Sequence, residues 1–245
     1  MTEPAGLRPY RYSADDEELY GLLESDGIKA LLARSSEMAK RYPLTLVPLA
    51  DGLTVARITS LSQSLPFIEE TTSLVNSSLV EDYPRTAQID LVKAMVTIGD
   101  GRTFDLRETW NGFTYLIFNQ GEVVGLSLAR REATLDQYGI GHLTGRGTIP
   151  LIVLEEDVRR GQAAGLMTLS LSSLAEDSIS EIWVSCAPTK TLVNKMFSKF
   201  ASKRWLDGDW LRYTADLRYS HRFVNLMVAR GYMSPEGRDE LIGKR

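Results

Sequence analysis

The chain has little cysteine and little histidine: one of the first and two of the second in 245 residues. A lone thiol excludes a disulfide framework and a cysteine-based zinc site. Two imidazoles leave little for a histidine metal centre, so no metal is expected. Cys186 stands in the apolar run Ile182-Trp-Val-Ser-Cys186, where a free thiol behaves as a small hydrophobe. Long apolar runs are also missing. None reaches the roughly 18 residues of a membrane span, and the N-terminus has no basic-then-apolar leader. No membrane association is expected, and a cytoplasmic location is. Positive charge is not in excess either: 28 Lys and Arg stand against 32 Asp and Glu, a net charge of −4. That argues against a general coat for nucleic acid and leaves a local basic groove open. Internal repeats and low-complexity tracts are absent as well.

What remains is ordinary globular material, 43% hydrophobic and 24% charged. The length fits one large domain, or one domain with an added lobe, and the core needs no covalent staple. Residues 1–50 read as an N-terminal helical lobe. Ser13 precedes Ala-Asp-Asp-Glu-Glu as a helix start, Leu19, Leu22 and Leu23 follow at helical spacing, and a second helix runs from Ile28 to Arg41. A short strand is expected at 44–47. Residues 51–245 form the main domain. Leu53–Ile58 alternates as a strand, helices are expected at 62–79 and 86–96, and Gly99-Asp-Gly101 ends the second. Thr114–Phe118 and Val123–Leu128 make a hairpin across Asn119-Gln-Gly-Glu122. The Gly/Thr-rich stretch 139–148 reads as a loop. A strand at 149–154, a helix at 162–176, a strand at 179–185, a basic helix at 190–203 and a helix at 216–230 complete the order. This is a mixed α/β fold with one main sheet.

One stretch stands out. Leu151-Ile-Val-Leu-Glu-Glu-Asp-Val-Arg-Arg-Gly-Gln-Ala-Ala-Gly-Leu166 runs from an apolar strand through a basic, small-residue turn into a helix. That order gathers backbone N–H groups and the positive end of a helix at one spot, which suits a phosphate or pyrophosphate.

The same stretch resembles the GNAT superfamily of acyl-CoA-dependent N-acyltransferases. Their Arg/Gln-x-x-Gly-x-Gly/Ala turn matches Arg160-Gly161-Gln162-Ala163-Ala164-Gly165, with Ala163 in place of a glycine. Gly121-Glu-Val-Val-Gly125 resembles the family's entry to its third strand, and Val228-Ala-Arg-Gly-Tyr232 the end of its last helix. The family's helix Asn and its Tyr, counted back from Gly231, fall on Ser220 and Met227. The stretch 187–218 looks like an insertion.

The resemblance implies a mixed, largely antiparallel central sheet flanked by helices, and transfer of an acetyl or other short acyl group from acyl-CoA to an amine in a ternary complex. It assigns Leu154, Glu156, Val158, Arg160, Gly161, Gln162, Ala163, Ala164, Gly165 and Leu166 to the acyl-CoA, with acetyl-CoA as co-substrate. A bulged fourth strand, splayed from the fifth, would pair with the pantetheine near 154–158. Gly165→Glu is expected to abolish binding while the fold survives. The amine must lose a proton, for which Glu155 is the candidate base. A solvated acidic strand end is the plainer reading of Glu155 and Glu156. Tyr219, or Tyr213, is a candidate to protonate the departing thiolate, against ordinary packing.

Residues 190–230 interleave Lys190, Lys195, Lys199, Lys203, Arg204, Arg212, Arg218, Arg222 and Arg230 with Trp205, Trp210, Tyr213 and Tyr219. Cations among rings suit a nucleic acid strand, the phosphate and adenine of CoA, or a solvated face with core aromatics. Two alternatives therefore stand beside the acyltransferase. One is a nucleobase-modifying enzyme of the phage Mom type, and the other is a CoA-binding relative without catalysis. The amine acceptor and the oligomeric state are not legible.

Overall fold

The computed structural model describes residues 43–58, 65–80, 114–135, 141–176, 180–199, 201–216 and 220–242, with isolated positions before residue 64. The first N-terminal helix and the helix expected at 86–96 lie outside the described residues; of the second, Ala30, Ala33, Arg34 and Glu37 are described and are helical.

Eight strands form one sheet in the order β1-β2-β3-β4-β5-β6-β8-β7. They are β1 Leu46–Pro48, β2 Leu53–Ile58, β3 Thr114–Asn119, β4 Glu122–Leu135, β5 Gly141–Leu154, β6 Glu181–Cys186, β7 Ala201–Asp207 and β8 Trp210–Asp216. Every neighbouring pair is antiparallel except β5 with β6. β1, at the short strand expected at 44–47, pairs antiparallel with β2. The central strand β3 is buried on both faces from Tyr115 to Phe118. Its hairpin with β4 turns at Gln120 and Gly121, with φ of 50° and 93°. Two positive φ values in a two-residue loop match the twist of the flanking strands.

The helices are α1 Ile68–Val80, α2 Arg159–Glu176, α3 Thr191–Ser198, α4 Ser220–Ala229 and α5 Pro235–Ile242. α1 covers one face of the sheet, where Leu74 and Val75 meet Ala56, Ile58, Leu116, Phe118 and Val153. α2 covers the other. Its Leu166 and Leu169 join Val55, Tyr115, Ile117 and Leu154, together with Met227 of α4 and Leu241 of α5. Further along, Met167 and Leu171 join Ile182, Val184, Cys186 and Tyr213, with Phe197 of α3. A buried hydrogen bond between the hydroxyls of Ser127 and Ser170 ties α2 to β4. Among the described residues no helix is long and apolar enough to cross a membrane.

Two sequence readings are corrected. The stretch 139–148 is not a loop, because Gly141–Thr148 is the first part of β5. Gly145 lies where the ladder with β4 shifts register, between the Ala133↔Leu143 and Arg131↔Gly147 pairs, and takes φ of 73°. Glycine in a strand marks a bulge as readily as a turn. The basic helix at 190–203 ends at Ser198, and Ala201–Asp207 is strand β7. Pairing with β8 decides that identity, not local propensity. β8 in turn pairs with β6 from Glu181↔Asp216 to Cys186↔Leu211.

Candidate functional site

β5 and β6 run side by side only briefly. Their parallel pairing covers Arg146↔Glu181, Gly147↔Ile182 and Thr148↔Trp183. Beyond it β5 continues to Leu154 along β4, and β6 continues to Cys186 along β8. The sheet therefore opens as a wedge between two parallel strands. The cause is a bulge. Leu128 pairs with Leu151 and Arg130 with Thr148, so Ile149 and Pro150 together oppose Ala129. An extra residue bends the bulged strand away from its neighbour, and Pro150 has no N–H to hold a ladder there. The Glu155 N–H donates to the Val124 carbonyl at 2.9 Å. By the alternation of a strand, Ile152 then turns its backbone groups away from β4 and toward the wedge. The splay begins after Thr148, several residues before the 154–158 expected from sequence.

At the end of β5 the chain makes a short turn, Glu156–Val158, in which the Val158 N–H donates to the Glu155 carbonyl at 3.1 Å. α2 starts next, but Gly161 takes φ of 97°, so uninterrupted right-handed turns run from Gln162. A Cβ at Gly161 would meet nothing within 4 Å, so the position is open to an incoming group. The first N–H groups of such a helix have no intrahelical acceptor. α2 and α3 both begin at the end of the sheet where the wedge opens, one following β5 and the other β6.

The expected binding residues divide. Gly161 and Ala164 are exposed, as are Glu155 and Glu156. Gln162 is buried, and Val158 and Ala163 pack against the core. Leu154 and Leu166 are core residues, and the Leu154 side chain lies over Gly125, where a Cβ would collide with it. Gly165 faces α4: a Cβ there would stand 2.8 Å from Met227 Cε and 3.2 Å from its Sδ. Gly165→Glu would force a carboxylate into that helix contact, so the expectation that the fold survives it is withdrawn. The Arg160 side chain and Tyr219 lie outside the described residues.

Sequence reasoning missed a network at the β6 end of the wedge. The Asn194 Nδ2 of α3 donates to the carbonyls of Ala187 at 2.9 Å and Pro188 at 3.2 Å. Its Oδ1 accepts from the Tyr213 hydroxyl at 2.7 Å. The Cys186 thiol points to the Ala187 carbonyl at 3.6 Å. Burial pushes the Cys186 pKa up to about 11. Burial also raises that of Tyr213, with the Arg204 guanidinium lowering it and Cys186 raising it. Both groups are neutral near pH 7, and the Tyr213 proton is committed to Asn194. The one available sequence signal was an Asn in the first turn of a helix following an apolar strand.

The basic segment does not form one stripe. Lys203 and Trp205 share one face of the β7–β8 hairpin and Arg204 the other, where its guanidinium lies 5.8 Å from the Tyr213 ring centre. Trp205 packs edge-on against Trp183 at 5.3 Å, and Arg212 pairs with Asp207 at 2.7 Å. Among the described residues no cluster of three His, Cys, Asp or Glu side chains is placed to hold a metal ion.

No family model matches the chain, and no curated protein does. Solved structures do. A cAMP-binding acyltransferase from Mycobacterium smegmatis superposes with a TM-score of 0.53 at 13% identity over 93% of this chain. The chain spans 62% of that protein's length. An acetyltransferase of the GNAT family from Staphylococcus aureus matches 66% of this chain and 99% of its own, with 14% identity and a TM-score of 0.49. PaiA N-acetyltransferase from Thermoplasma acidophilum, solved with coenzyme A, matches at 9% identity and a TM-score of 0.44, covering 66% of this chain and 98% of its own. At these identities the likeness speaks for architecture. In its largely antiparallel sheet with splayed β5 and β6 and flanking helices, the chain shares the fold of the Mycobacterium smegmatis protein.

Proposed function

We propose that the chain transfers an acetyl or other short acyl group from acyl-CoA to an amine. The observation that carries this reading is the wedge between β5 and β6, open at the sheet end where the Gly161 turn starts α2. The N–H groups after Gly161 and the positive helix end would hold the pyrophosphate, with Arg160 adding charge. The backbone of Ile152 faces the wedge and would pair with the pantetheine amides, so that the thioester enters between the strands. The acceptor amine attacks the thioester carbon. A C–N bond forms and the C–S bond breaks. The amine proton goes to the exposed carboxylate of Glu155, directly or through water, and the departing thiolate takes a proton for which Tyr219 is the candidate. Much of the rate would come from holding amine and thioester together. Tyr213 is a weaker donor than the sequence suggested, since its proton is bound to Asn194.

Calorimetry with CoA and acetyl-CoA tests the donor. Saturable binding to the wild-type chain is expected. Gly161→Ala should weaken it about tenfold, because an L-residue at φ of 97° costs roughly 1–2 kcal/mol and the turn would relax. No binding of any CoA species refutes the proposal, and unchanged affinity in the variant refutes the pyrophosphate site.

A further inference from the structure

β7 is the outermost strand on its side of the sheet, and among the described residues nothing pairs with its outer edge. The two-residue turn Gly208-Asp209, with Gly208 at φ of 56°, makes Asp207 and Trp210 the closing hydrogen-bonded pair of the hairpin. Alternation then fixes the rest. Arg204 and Leu206 turn their backbone N–H and C=O groups away from β8, toward the outer edge. Lys203, Trp205 and Asp207 share one face of the strand, and Arg204 and Leu206 the other. Leu206 is 65% exposed. An unpaired edge of this kind is a template for another strand.

We propose that β7 pairs with β7 of a second copy of this chain, antiparallel, about a twofold axis at Trp205. Charge selects that register among those in which outward backbone groups meet. A register centred on Arg204 sets two guanidiniums against each other. One centred on Leu206 sets each Trp205 against Asp207 of the partner subunit. Centred on Trp205, each Lys203 meets Asp207 of the partner subunit, and symmetry supplies the pair twice. Arg204 then exchanges backbone hydrogen bonds with Leu206 of the partner subunit. Asp207 receives Arg212 at Oδ2, which leaves Oδ1 for the lysine. Trp205 is already fixed against Trp183, so the residue at the axis is ordered before association. Two eight-stranded sheets become one continuous sheet.

Sedimentation velocity on the full chain tests this. The wild type is expected to sediment as a dimer of the 27.4 kDa chain. Lys203→Glu and Asp207→Lys each place like charges together at both ends of the pairing. Each alone should self-associate at least about tenfold more weakly. An equal mixture of the two should form a heterodimer, because the introduced carboxylate of one then meets the introduced ammonium of the other. Lys203→Glu leaves the pair between Arg212 and the exposed Asp207 intact, so that variant tests the pairing without removing an internal contact. A wild type that stays monomeric overturns the proposal. So do single variants that associate like the wild type, or a mixture that stays monomeric. If a variant fails to fold, hydrogen exchange on the wild type decides. The amides of Arg204 and Leu206 should slow as concentration rises, and exchange independent of concentration overturns the pairing.

Discussion

Gly165 separates a packing role from a ligand role, and a double-mutant cycle with Met227 measures which it has. The residue lies inside α2, where replacing glycine by alanine gains about 1 kcal/mol of helix propensity. Against that, the new Cβ would stand 2.8 Å from Met227 Cε and 3.2 Å from Sδ. Ordinary carbon contacts are about 3.5–4.0 Å, so the thioether must retreat by roughly 1 Å within a buried cluster. Overpacking of that kind costs about 1–3 kcal/mol, at the low end because a methionine end is adaptable. The two effects nearly cancel, and Gly165→Ala should destabilise by no more than about 1 kcal/mol. Met227→Ala should cost roughly 2–4 kcal/mol through the cavity it leaves. It also removes the obstacle, so adding Gly165→Ala in that background should stabilise by about 1 kcal/mol. The coupling is therefore about 1–2 kcal/mol. Urea unfolding followed by tryptophan fluorescence and far-UV circular dichroism gives the four stabilities, and equal m-values license the comparison. Effects that add to within about 0.3 kcal/mol would show that the two residues do not meet, and the packing argument would fall. If Gly165 instead served close approach of acyl-CoA, Gly165→Ala would weaken CoA binding whether or not Met227 is present.

Two further outcomes follow from the β6 end of the wedge. Raising pH should destabilise the fold through Cys186: the unfolded thiol ionises near 9.0 while the folded one keeps its proton to about 11. The thiol's contribution is fully present below pH 9, falls as pH rises and is gone above about 11, at most roughly 3 kcal/mol in all. Cys186→Ser should flatten that part of the profile in thermal or urea unfolding, and an equally steep loss in the variant would refute the assignment. Tyr213→Phe should cost about 1–3 kcal/mol by leaving Asn194 Oδ1 without its donor. Paired with Asn194→Ala the loss should be less than the sum, and strict additivity would mean that the hydroxyl and the amide do not interact.

Much of the fold is legible wherever one local rule decides. The hairpin at Gln120-Gly121 shows in a short glycine turn between two apolar runs, because few sequences satisfy two positive φ values. The turn into α2 shows in Arg160-Gly161-Gln162, since Gly161 is needed at φ of 97°. α5 carries a local signal too: Ser234 stands before Pro235, and its hydroxyl accepts the Gly237 N–H at 2.9 Å as a helix cap. The site is legible in part. Gly161 and Gln162 mark the turn, but nothing local distinguishes Ala164, which faces out, from Gly165, which faces Met227. A small residue suits a ligand and a neighbouring helix equally.

By itself, the sequence determined the apolar alternation of β2, the continuous apolar run of β3, the hairpin, and the strand–turn–helix that would hold a pyrophosphate, because each rests on dihedral and burial preferences within a few residues. Tertiary structure alone decided the rest. Gly141–Thr148 became strand because β4 offered a ladder that its bulges could follow. Ala201–Asp207 became an edge strand because β8 stood beside it. Asn194 and Tyr213 met because α3 packs over β8, although they lie 19 residues apart in the chain. The wedge itself is a mismatch between three strands: two residues of β5 against one of β4 turn β5 away from β6, and no single segment carries that information.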